Sequence, residues 1–219
     1  MIRTFNTVNK NMNILQTKQE NVSANVTNVN TPGYKFQEVI QSTLDTQQMI
    51  NYTEGRNVDR RRELGPYVFG NEVDEIYKNF NQGILYETGL DTDYAIVGNG
   101  FFTIEMNDGT IAYTRNGNFK LNEDNQLVTM EGYIVLDEIN DFENYQNLNR
   151  IGDTLFTSDD APIEIEGEVR QGFLERSNVD VIDELVKMIE ISREFEANQK
   201  VLLAADETLN KAVNDVGRV

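Results

Sequence analysis

Residues 101–115 read FFTIEMNDGTIAYTR, and this stretch predicts a β-hairpin. Its two halves are rich in aromatic and β-branched residues, which favour strands, and Asp108-Gly109 separates them. Asp-Gly supplies the positive φ angles that tight hairpin turns require. By the same rule we expect further turns at Asn116-Gly117 and at residues 122–125. Glycines recur between short apolar segments from 65 to 175, which predicts an antiparallel β-meander and an all-β domain there.

The first 30 residues predict a helix that carries a coiled-coil seam. One row is apolar at every seventh position: Val8, Leu15, Val22 and Val29. The neighbouring row is polar only at its third member: Phe5, Met12, Gln19 and Val26. Together the rows give the alternating spacing of three and four by which one helix packs against another. We expect the helix to stop at Asn30-Thr31-Pro32-Gly33, because Pro32 disfavours a helical Thr31 and Gly33 suits a type II turn.

The residues from Ser177 to the end predict a second, longer helix. Its seam is apolar at every seventh position: Met188, Phe195, Leu202, Leu209 and Val216. Other apolar residues widen this stripe: Ile182, Leu185, Ile189 and Leu203. We expect Ser177 or Asn178 to cap the helix, with acidic residues in its first turns. Without Pro or Gly before Gly217, the helix extends over about 38 residues, or about 57 Å, which is too long for a domain of this size to cover.

The expected fold class is α+β: an all-β central domain flanked by long N- and C-terminal helices that pair as a coiled coil. We divide the chain into an N-terminal coiled-coil helix (1–36), a connecting segment (37–64), the all-β domain (65–175) and a C-terminal coiled-coil helix (176–219). The connecting segment is polar and its pattern is ambiguous. It holds the only basic run, Arg60-Arg61-Arg62, which we interpret as a solvated loop; contact with an anion or a partner is the alternative.

Composition excludes several classes of protein. The chain has no Cys, His or Trp, which removes disulfides, thiolate catalysis and the commonest general base and metal ligand. Its net charge of −18 repels nucleic acid, and no run of 18 apolar residues is present to cross a membrane. Residues 1–36 carry roughly +3, the middle of the chain roughly −17 and residues 177–219 roughly −4. The two helical ends are therefore opposite in charge, which favours their pairing.

The acidic clusters do not have the spacing of a metal site. The tightest are Asp91-Thr92-Asp93 and Asp159-Asp160, and neither fits a calcium-binding loop. We interpret both as surface acids. Gly98-Asn99-Gly100 lacks the Lys and the following helix of a phosphate-binding loop. The residues themselves therefore predict no catalytic site, no metal and no cofactor.

Three separated motifs resemble those of the flagellar rod and hook proteins. Residues 21–35, NVSANVTNVNTPGYK, resemble the N-terminal signature of that family. Three segments resemble the C-terminal signature: GFLERSNVD (172–180), ELVKMI (184–189) and REFEANQK (193–200). Two more look like the core hairpins of rod proteins: DYAIVGNGFF (93–102) and YTRNGNF (113–119). The match covers both ends and most of the expected β-domain, in the right order.

The chain departs from the family pattern in two places. Ala24 and Thr27 replace the usual Asn and Ala of the N-terminal signature. The stretch between Leu136 and Leu155 is short, where distal-rod proteins usually carry several more strands. The subtype therefore stays open between distal rod, proximal rod and the related Gram-positive rod proteins.

The resemblance implies a structural subunit of the bacterial flagellar basal-body rod and not an enzyme. Such subunits polymerise through their terminal helices into the hollow shaft that transmits torque from motor to hook. The implied partners are copies of the chain, other flagellar rod and hook proteins and the flagellar type III export apparatus, with no nucleic acid and no membrane insertion. The implied location is the flagellar basal body, outside the cytoplasm, reached without a cleaved signal peptide.

The apolar seams supply the expected assembly interface. Its members are Val8, Met12, Leu15, Val22, Val26, Val29, Leu185, Met188, Ile189, Phe195, Leu202, Leu209 and Val216. The alternative function is that of a secreted β-domain, a ligand-binding or adhesive module. That module would keep its function after removal of the helices, whereas a rod subunit would lose it.

Overall fold

The computed structural model describes the backbone of residues 2–52 and 61–215, with side chains over 5–50 and 63–214. The described residues form two compact units. Unit 1 is drawn from Met1–Asn21, Val39–Ile76 and Val186–Val219, and unit 2 from Val22–Glu38 and Tyr77–Leu185. Segments distant in sequence are thus combined in each unit.

Two long helices flank the β-rich part of the chain in sequence, as the fold class α+β predicts. Helix α1 is Ile2–Thr27 and helix α2 is Val181–Asp215, of 26 and 35 residues. The length of α2 is close to the predicted 38 residues, since neither Pro nor Gly interrupts it. The residue Val216 of the predicted seam lies outside the described residues.

Helix α1 ends at Thr27, earlier than predicted. Asn28 N still donates to Ala24 O (3.1 Å), and Asn28 Nδ2 donates to the same oxygen (3.1 Å). Beyond this point the N–H groups of Val29 and Thr31 bond three residues back, to Val26 O and Asn28 O, so the chain continues as a turn. Val29 consequently lies in the turn after α1, which corrects its placement on the helical seam. The type II turn follows as predicted, with Tyr34 N donating to Thr31 O (3.3 Å) and Gly33 at φ +70°.

Asp180 caps helix α2, so the prediction of Ser177 or Asn178 is wrong. Asp180 Oδ1 accepts from Ile182 N (2.9 Å) and Asp183 N (3.4 Å), which would otherwise lack partners at the first turn. The side chains of Ser177 and Asn178 are engaged before the helix begins. Ser177 Oγ accepts from Val179 N (3.3 Å), and Asn178 Oδ1 accepts from Phe36 N (2.7 Å).

Sixteen strands and a single 3-10 turn (Tyr145–Asn147) lie between the helices in the described part of the chain. The strands are β1 (Gln37–Thr43), β2 (Gln47–Tyr52), β3 (Arg61–Tyr67), β4 (Asn71–Lys78), β5 (Leu85–Glu87), β6 (Tyr94–Val97), β7 (Phe101–Glu105), β8 (Ile111–Thr114), β9 (Lys120–Leu121), β10 (Leu127–Val128), β11 (Ile134–Asp141), β12 (Asn149–Arg150), β13 (Leu155–Thr157), β14 (Ile163–Glu164), β15 (Glu168–Gln171) and β16 (Phe173–Glu175). The segment that was ambiguous in sequence holds β1, β2 and the start of β3.

The largest sheet has the order β12-β13-β8-β7-β11-β10-β9, with β14 also paired to β11. Four two-stranded sheets accompany it among the described residues: β1 with β4, β2 with β3, β6 with β15, and β5 with β16. The hairpin at residues 101–115 is confirmed, since Thr103 pairs with Tyr113 and Ile104 with Ala112. The turn at 122–125 is also confirmed, because Leu121 pairs with Leu127 across it. Strands β9, β10 and β11 form the expected meander.

The predicted hairpin turn at Asn116-Gly117 is wrong. A hairpin here would pair β8 with the segment that follows Gly117. Strand β8 instead pairs with β7 on one edge and with β13 on the other, where Thr114 lies opposite Leu155. Gly117 instead lies against Tyr94, whose N–H donates to Gly117 O (3.0 Å). A Cβ on Gly117 would fall 1.6 Å from Tyr94 O, so the glycine permits a close backbone approach.

The two faces of the large sheet carry separate hydrophobic clusters, both in unit 2. Adjacent residues Phe101 and Phe102 point to opposite faces, because side chains alternate along a strand. One cluster contains Phe101, Tyr113, Phe142, Leu148 and Phe156. The other contains Ile96, Phe102 and Phe119. The sheet is therefore covered by apolar side chains on both faces.

Two further interpretations of charged residues need correction. Asp93 is buried, although Asp91, Asp159 and Asp160 are exposed as expected. The backbone of Asp93 is held on both sides, through a bridge to Asn118 and a bond from Gly172 N (2.8 Å). Arg61 and Arg62 open strand β3 and are not in a loop, while Arg60 lies outside the described residues.

Candidate functional site: a buried ion cluster that joins three motifs

A buried ion cluster forms around Glu175, the last residue of β16. Lys35 Nζ lies 2.6 Å from Glu175 Oε1, and Arg115 Nε lies 3.3 Å from Glu175 Oε2. Lys35 and Glu175 are each 2% exposed and Arg115 is 4% exposed. Charged side chains are almost never buried to this degree unless they are paired. The three charges belong to the three motifs that resemble rod and hook proteins.

Backbone groups complete the coordination of the ion cluster. Gly83 N donates to Glu175 Oε1 (2.8 Å), and Lys35 Nζ donates to Asn81 O (2.9 Å). The Arg115 guanidinium donates to Gly100 O (2.6 Å) and to Gly98 O. One carboxylate thus faces two cations, and carbonyl oxygens accept further N–H groups of both cations, while Glu175 Oε2 has its ion pair with Arg115 but no hydrogen bond. Burial lowers the pKa of both Lys35 and Arg115, and the nearby Glu175 carboxylate opposes that shift.

Gly33 brings the N-terminal motif directly onto the ion cluster. Its N–H donates to the carbonyl oxygen of Glu175 (2.9 Å). It has φ +70°, which favours glycine. A Cβ at this position would lie 2.4 Å from the carbonyl carbon of Arg115. The Pro-Gly turn therefore sets the distance between the N-terminal motif and the backbone of the core hairpin.

A second buried cluster surrounds Asn25 of helix α1, which is fully buried. Asn25 Nδ2 donates to Gln37 O (2.7 Å) and to Glu184 Oε2 (2.8 Å). Its Oδ1 accepts from Tyr34 OH (3.1 Å) and from Gln37 N (3.2 Å). Glu184 belongs to the first turns of α2 and is also buried. The amide therefore ties the end of α1 to the start of α2 within unit 2.

Neighbouring side chains extend these two clusters. The Arg150 guanidinium lies 4.8 Å from the centre of the Tyr34 ring, and burial raises the pKa of the Tyr34 hydroxyl. Asn178, from the C-terminal motif, donates to Asn79 O (2.8 Å) and Asn81 O (3.0 Å). The C-terminal motif is thus bonded to the N-terminal motif through Lys35 and Gly33, and to the core hairpins through Arg115 and Asp93.

The chemistry of these clusters is that of a structural joint. Their donors and acceptors are directed at one another, and their charges are shielded from solvent. Among residues 2–52 and 61–215, no group of three or more acidic side chains is arranged to hold a metal ion. In the same ranges, no helix is both long and apolar enough to cross a membrane. A joint between chain ends is a feature of a structural subunit.

Of the thirteen seam residues predicted for the interface, Val216 lies outside the described residues and the other twelve fall into different environments. Buried members are Val8, Leu15 and Val22. Half-buried members are Met12, Val26, Val29, Met188, Phe195 and Leu202. Exposed members are Leu185, Ile189 and Leu209. The interface that these residues are expected to form stays a prediction.

Sequence reasoning missed the joint itself. Lys35, Arg115 and Glu175 all stand in the quoted motifs, yet no spacing rule links residues so far apart. The available signal was one Lys, one Arg and one Glu within the three motifs, since charged side chains that become buried need partners of opposite charge.

The fold and the joint define the class of the protein: a structural subunit in which the end of α1 and the start of α2 are joined within a β-rich unit. Comparison with known families agrees with that class. Residues 95–170 match the family described as flagellar hook protein FlgE/F/G D1 domain. Residues 170–215 match the flagellar basal body rod FlgEFG protein C-terminal family. Arg115 lies in the first of these regions and Glu175 in the second.

Whole-length relatives agree with the family matches. The flagellar basal-body rod protein FlgG of Agrobacterium fabrum is 32% identical, over 90% of this chain and 92% of the relative. FlgG of Borreliella burgdorferi is 31% identical, over 98% of each. The flagellar hook-basal body complex protein FlhO of Bacillus subtilis is 28% identical over 100% of each, in an alignment of 278 positions. That alignment is longer than this chain of 219 residues, so FlhO carries residues that this chain lacks.

The chain belongs to the flagellar basal-body rod protein family, and it is a structural subunit of the bacterial flagellar rod.

Proposed function

We propose that the chain polymerises through α1 and α2 into the hollow shaft that transmits torque from motor to hook. The single observation that carries this proposal is the exposed apolar surface of α2. Ile182 is 73% exposed, and Ile189 and Leu203 are exposed as well. Burial of one such side chain stabilises an interface by about 1.5–3 kcal/mol. A polymer repeats that gain at every subunit.

Pairing of α1 with α2 is the finer part of the proposal, and contacts within each unit support it. In unit 2, Asn25 of α1 bonds to Glu184 of α2. In unit 1, a cavity of about 250 Å³ is lined by Thr7 and Val8 of α1 and by Asn198 of α2. The seam residues Val8 and Leu15 are buried on one helix, and Ile191 is buried on the other. The opposite charges of the two chain ends favour the same pairing.

The proposal also covers partners and location. We propose that the subunit assembles with its own copies and with other flagellar rod and hook proteins. We also propose delivery by the flagellar type III export apparatus, without insertion into a membrane. The family is one of structural proteins, and we propose that the chain has no catalytic activity. The division into residues 1–36, 37–64, 65–175 and 176–219 stays a prediction.

Polymerisation of the purified chain tests this proposal. At high concentration, electron microscopy should show rods, and isolated basal bodies should contain the chain. A chain that stays monomeric at every concentration and is absent from basal bodies would contradict it. A ligand bound by the unassembled β-rich centre, without any polymer, would favour the secreted-module alternative.

A further inference from the structure

A cavity of about 350 Å³ opens on the large sheet in unit 2, beside strands β7, β8, β11 and β14. Its floor is a hydrogen bond from Asn140 Nδ2 to Thr103 Oγ1 (2.8 Å), and both residues are buried. Three apolar side chains line its walls: Ile111, Leu136 and Pro162. The cavity is thus an open depression lined by both apolar and polar side chains, and a hydrogen bond joins the two buried polar side chains at its floor.

Three polar groups of the cavity have no partner in the described chain. Tyr113 is only 6% exposed, yet its hydroxyl has no hydrogen-bond partner among the described residues. Glu138 and Glu164 form no ion pair with any described residue. Glu138 and Tyr113 line the same cavity; burial raises the pKa of Tyr113, and the charge of Glu138 raises it further. Strand β14 pairs with β11 so that Glu164 lies opposite Asn140, and both residues line the cavity.

We infer that this cavity receives an arginine or lysine side chain from a second copy of the chain. Such a side chain has an apolar stem that fits against Ile111, Leu136 and Pro162. Its cationic end would reach Glu138 and Glu164, and a charge-assisted bond of this kind is stronger than a neutral one. An anion would be repelled by the two carboxylates. A metal ion would find two carboxylates only, fewer than the ligands it normally requires.

A second copy is the occupant that the charges favour, and this step rests on the proposed assembly. Each copy carries a net charge of −18, so copies repel one another unless their few cations meet acidic sites. Suitable donors are exposed on the same chain, for example Arg193, Lys200 and Lys211. A cavity with two unpaired carboxylates offsets part of that repulsion locally and fixes the register between copies.

Binding of a single cationic side chain can be measured on the full unassembled chain. The probe is N-acetyl-arginine amide, titrated by NMR. We expect saturable binding with shifts at Tyr113, Glu138 and Glu164. The double variant Glu138→Gln/Glu164→Gln should weaken binding at least about tenfold. The matched control is Glu123→Gln/Glu131→Gln, which removes two exposed acids outside the cavity and should bind as the wild type does. Absence of saturable binding, or equal weakening in both double variants, would overturn the inference.

Assembly decides whether the occupant is a second copy. The cavity variant should need about tenfold more protein to polymerise than the Glu123→Gln/Glu131→Gln control. If the wild type polymerises and the two variants do so at the same concentration, the inference is wrong while the proposed function stands. The inference is then wrong even if the probe binds, because the natural occupant of the cavity would be a molecule other than a second copy of the chain. If the wild type forms no polymer under any condition, the proposed function is wrong and the inference falls with it.

Discussion

Lys35 Nζ and Glu175 Oε1 lie 2.6 Å apart in the interior of unit 2, although 140 residues separate them in sequence. This ion pair joins the N-terminal motif to the C-terminal motif, and Arg115 adds the core hairpin. Transfer of these charges from water is costly, so the cluster contributes little net stability compared with an apolar core. Its effect is on specificity: any arrangement that separates the motifs leaves a buried charge without its partner.

Loss of the Glu175 charge should destabilise unit 2 strongly. Glu175→Gln leaves Lys35 and Arg115 buried without a carboxylate, and such a break costs about 3–5 kcal/mol. Denaturant unfolding followed by circular dichroism measures this cost. The matched control is Glu168→Gln, which removes a carboxylate from an exposed pair with Arg170 and should cost less than about 1 kcal/mol. Equal effects of the two substitutions would show that the buried cluster has no special role.

Substitution of Gly33 by alanine should destabilise the folded chain more than the same substitution at Gly89. The two glycines have nearly the same φ angle, +70° and +72°. Alanine at either position should therefore cost about 1–2 kcal/mol in backbone strain. At Gly33 the new Cβ also meets the backbone of Arg115 at 2.4 Å, whereas at Gly89 no atom lies within 4 Å. We expect Gly33→Ala to lose at least about 2 kcal/mol more than Gly89→Ala, because a clash with backbone is added to the strain. Unfolding free energies of the two variants provide the comparison, and equal losses would refute the close approach.

Tyr145 should make stability fall at high pH. Its hydroxyl donates to Asp141 Oδ1 (2.6 Å), and burial, together with that carboxylate, raises its pKa from 10.0 to about 12. The unfolded chain releases this proton near pH 10 and the folded chain near pH 12, so this contribution to stability is lost as pH rises between those values. Tyr145→Phe should be less stable at about pH 9 and should lose less stability than the wild type on going to about pH 11. Denaturant midpoints at both pH values test this, with the exposed Tyr77→Phe as control. A variant with the wild-type pH profile would contradict it.

Local rules predicted those parts of the fold that depend on neighbouring residues. Asp108-Gly109 turns the chain within a few residues, so the hairpin of β7 and β8 follows from sequence alone. Gly117 carries the same signal for a different reason, since its missing Cβ admits Tyr94. A glycine that serves a turn cannot be distinguished in sequence from one that serves close packing. The cap of α2 was misplaced because Ser177, Asn178 and Asp180 are all capable caps, and only tertiary contacts decide among them.

The joint could not be predicted by any local rule. The partners of Asn25 are Tyr34, Gln37 and Glu184, and the last of these is 159 residues away. Heptad spacing did identify which face of α1 is buried, since Val8, Leu15 and Val22 are all covered. On α2 the same spacing mixes half-buried Phe195 with exposed Leu209, because part of that seam has no cover in one copy.

The seam of α2 should be required for assembly and not for folding of the β-rich centre. Leu202 is half-buried on α2, in the row that also holds Met188, Phe195 and Leu209. Leu202→Asp would place a carboxylate where the apolar surface of a neighbour is expected, and a buried unpaired charge costs several kcal/mol. A polymer repeats that cost at each subunit. We therefore expect soluble protein with an unchanged β signal in circular dichroism that does not enter rods, in cells that do not swim.

Gln199→Asp provides the matched control for Leu202→Asp. It makes the same change of charge three residues earlier on the same helix, at an exposed position. Both substitutions lower helix propensity by similar small amounts, so a difference between them reports burial in the assembly and not fraying of α2. Cells with Gln199→Asp should swim and contain the chain in their basal bodies. Normal swimming by Leu202→Asp cells would show that this seam is not an assembly interface, whereas loss of swimming in both would point to α2 as a whole. If Leu202→Asp abolishes swimming and Gln199→Asp does not, the assembly contact is assigned to the apolar row of α2.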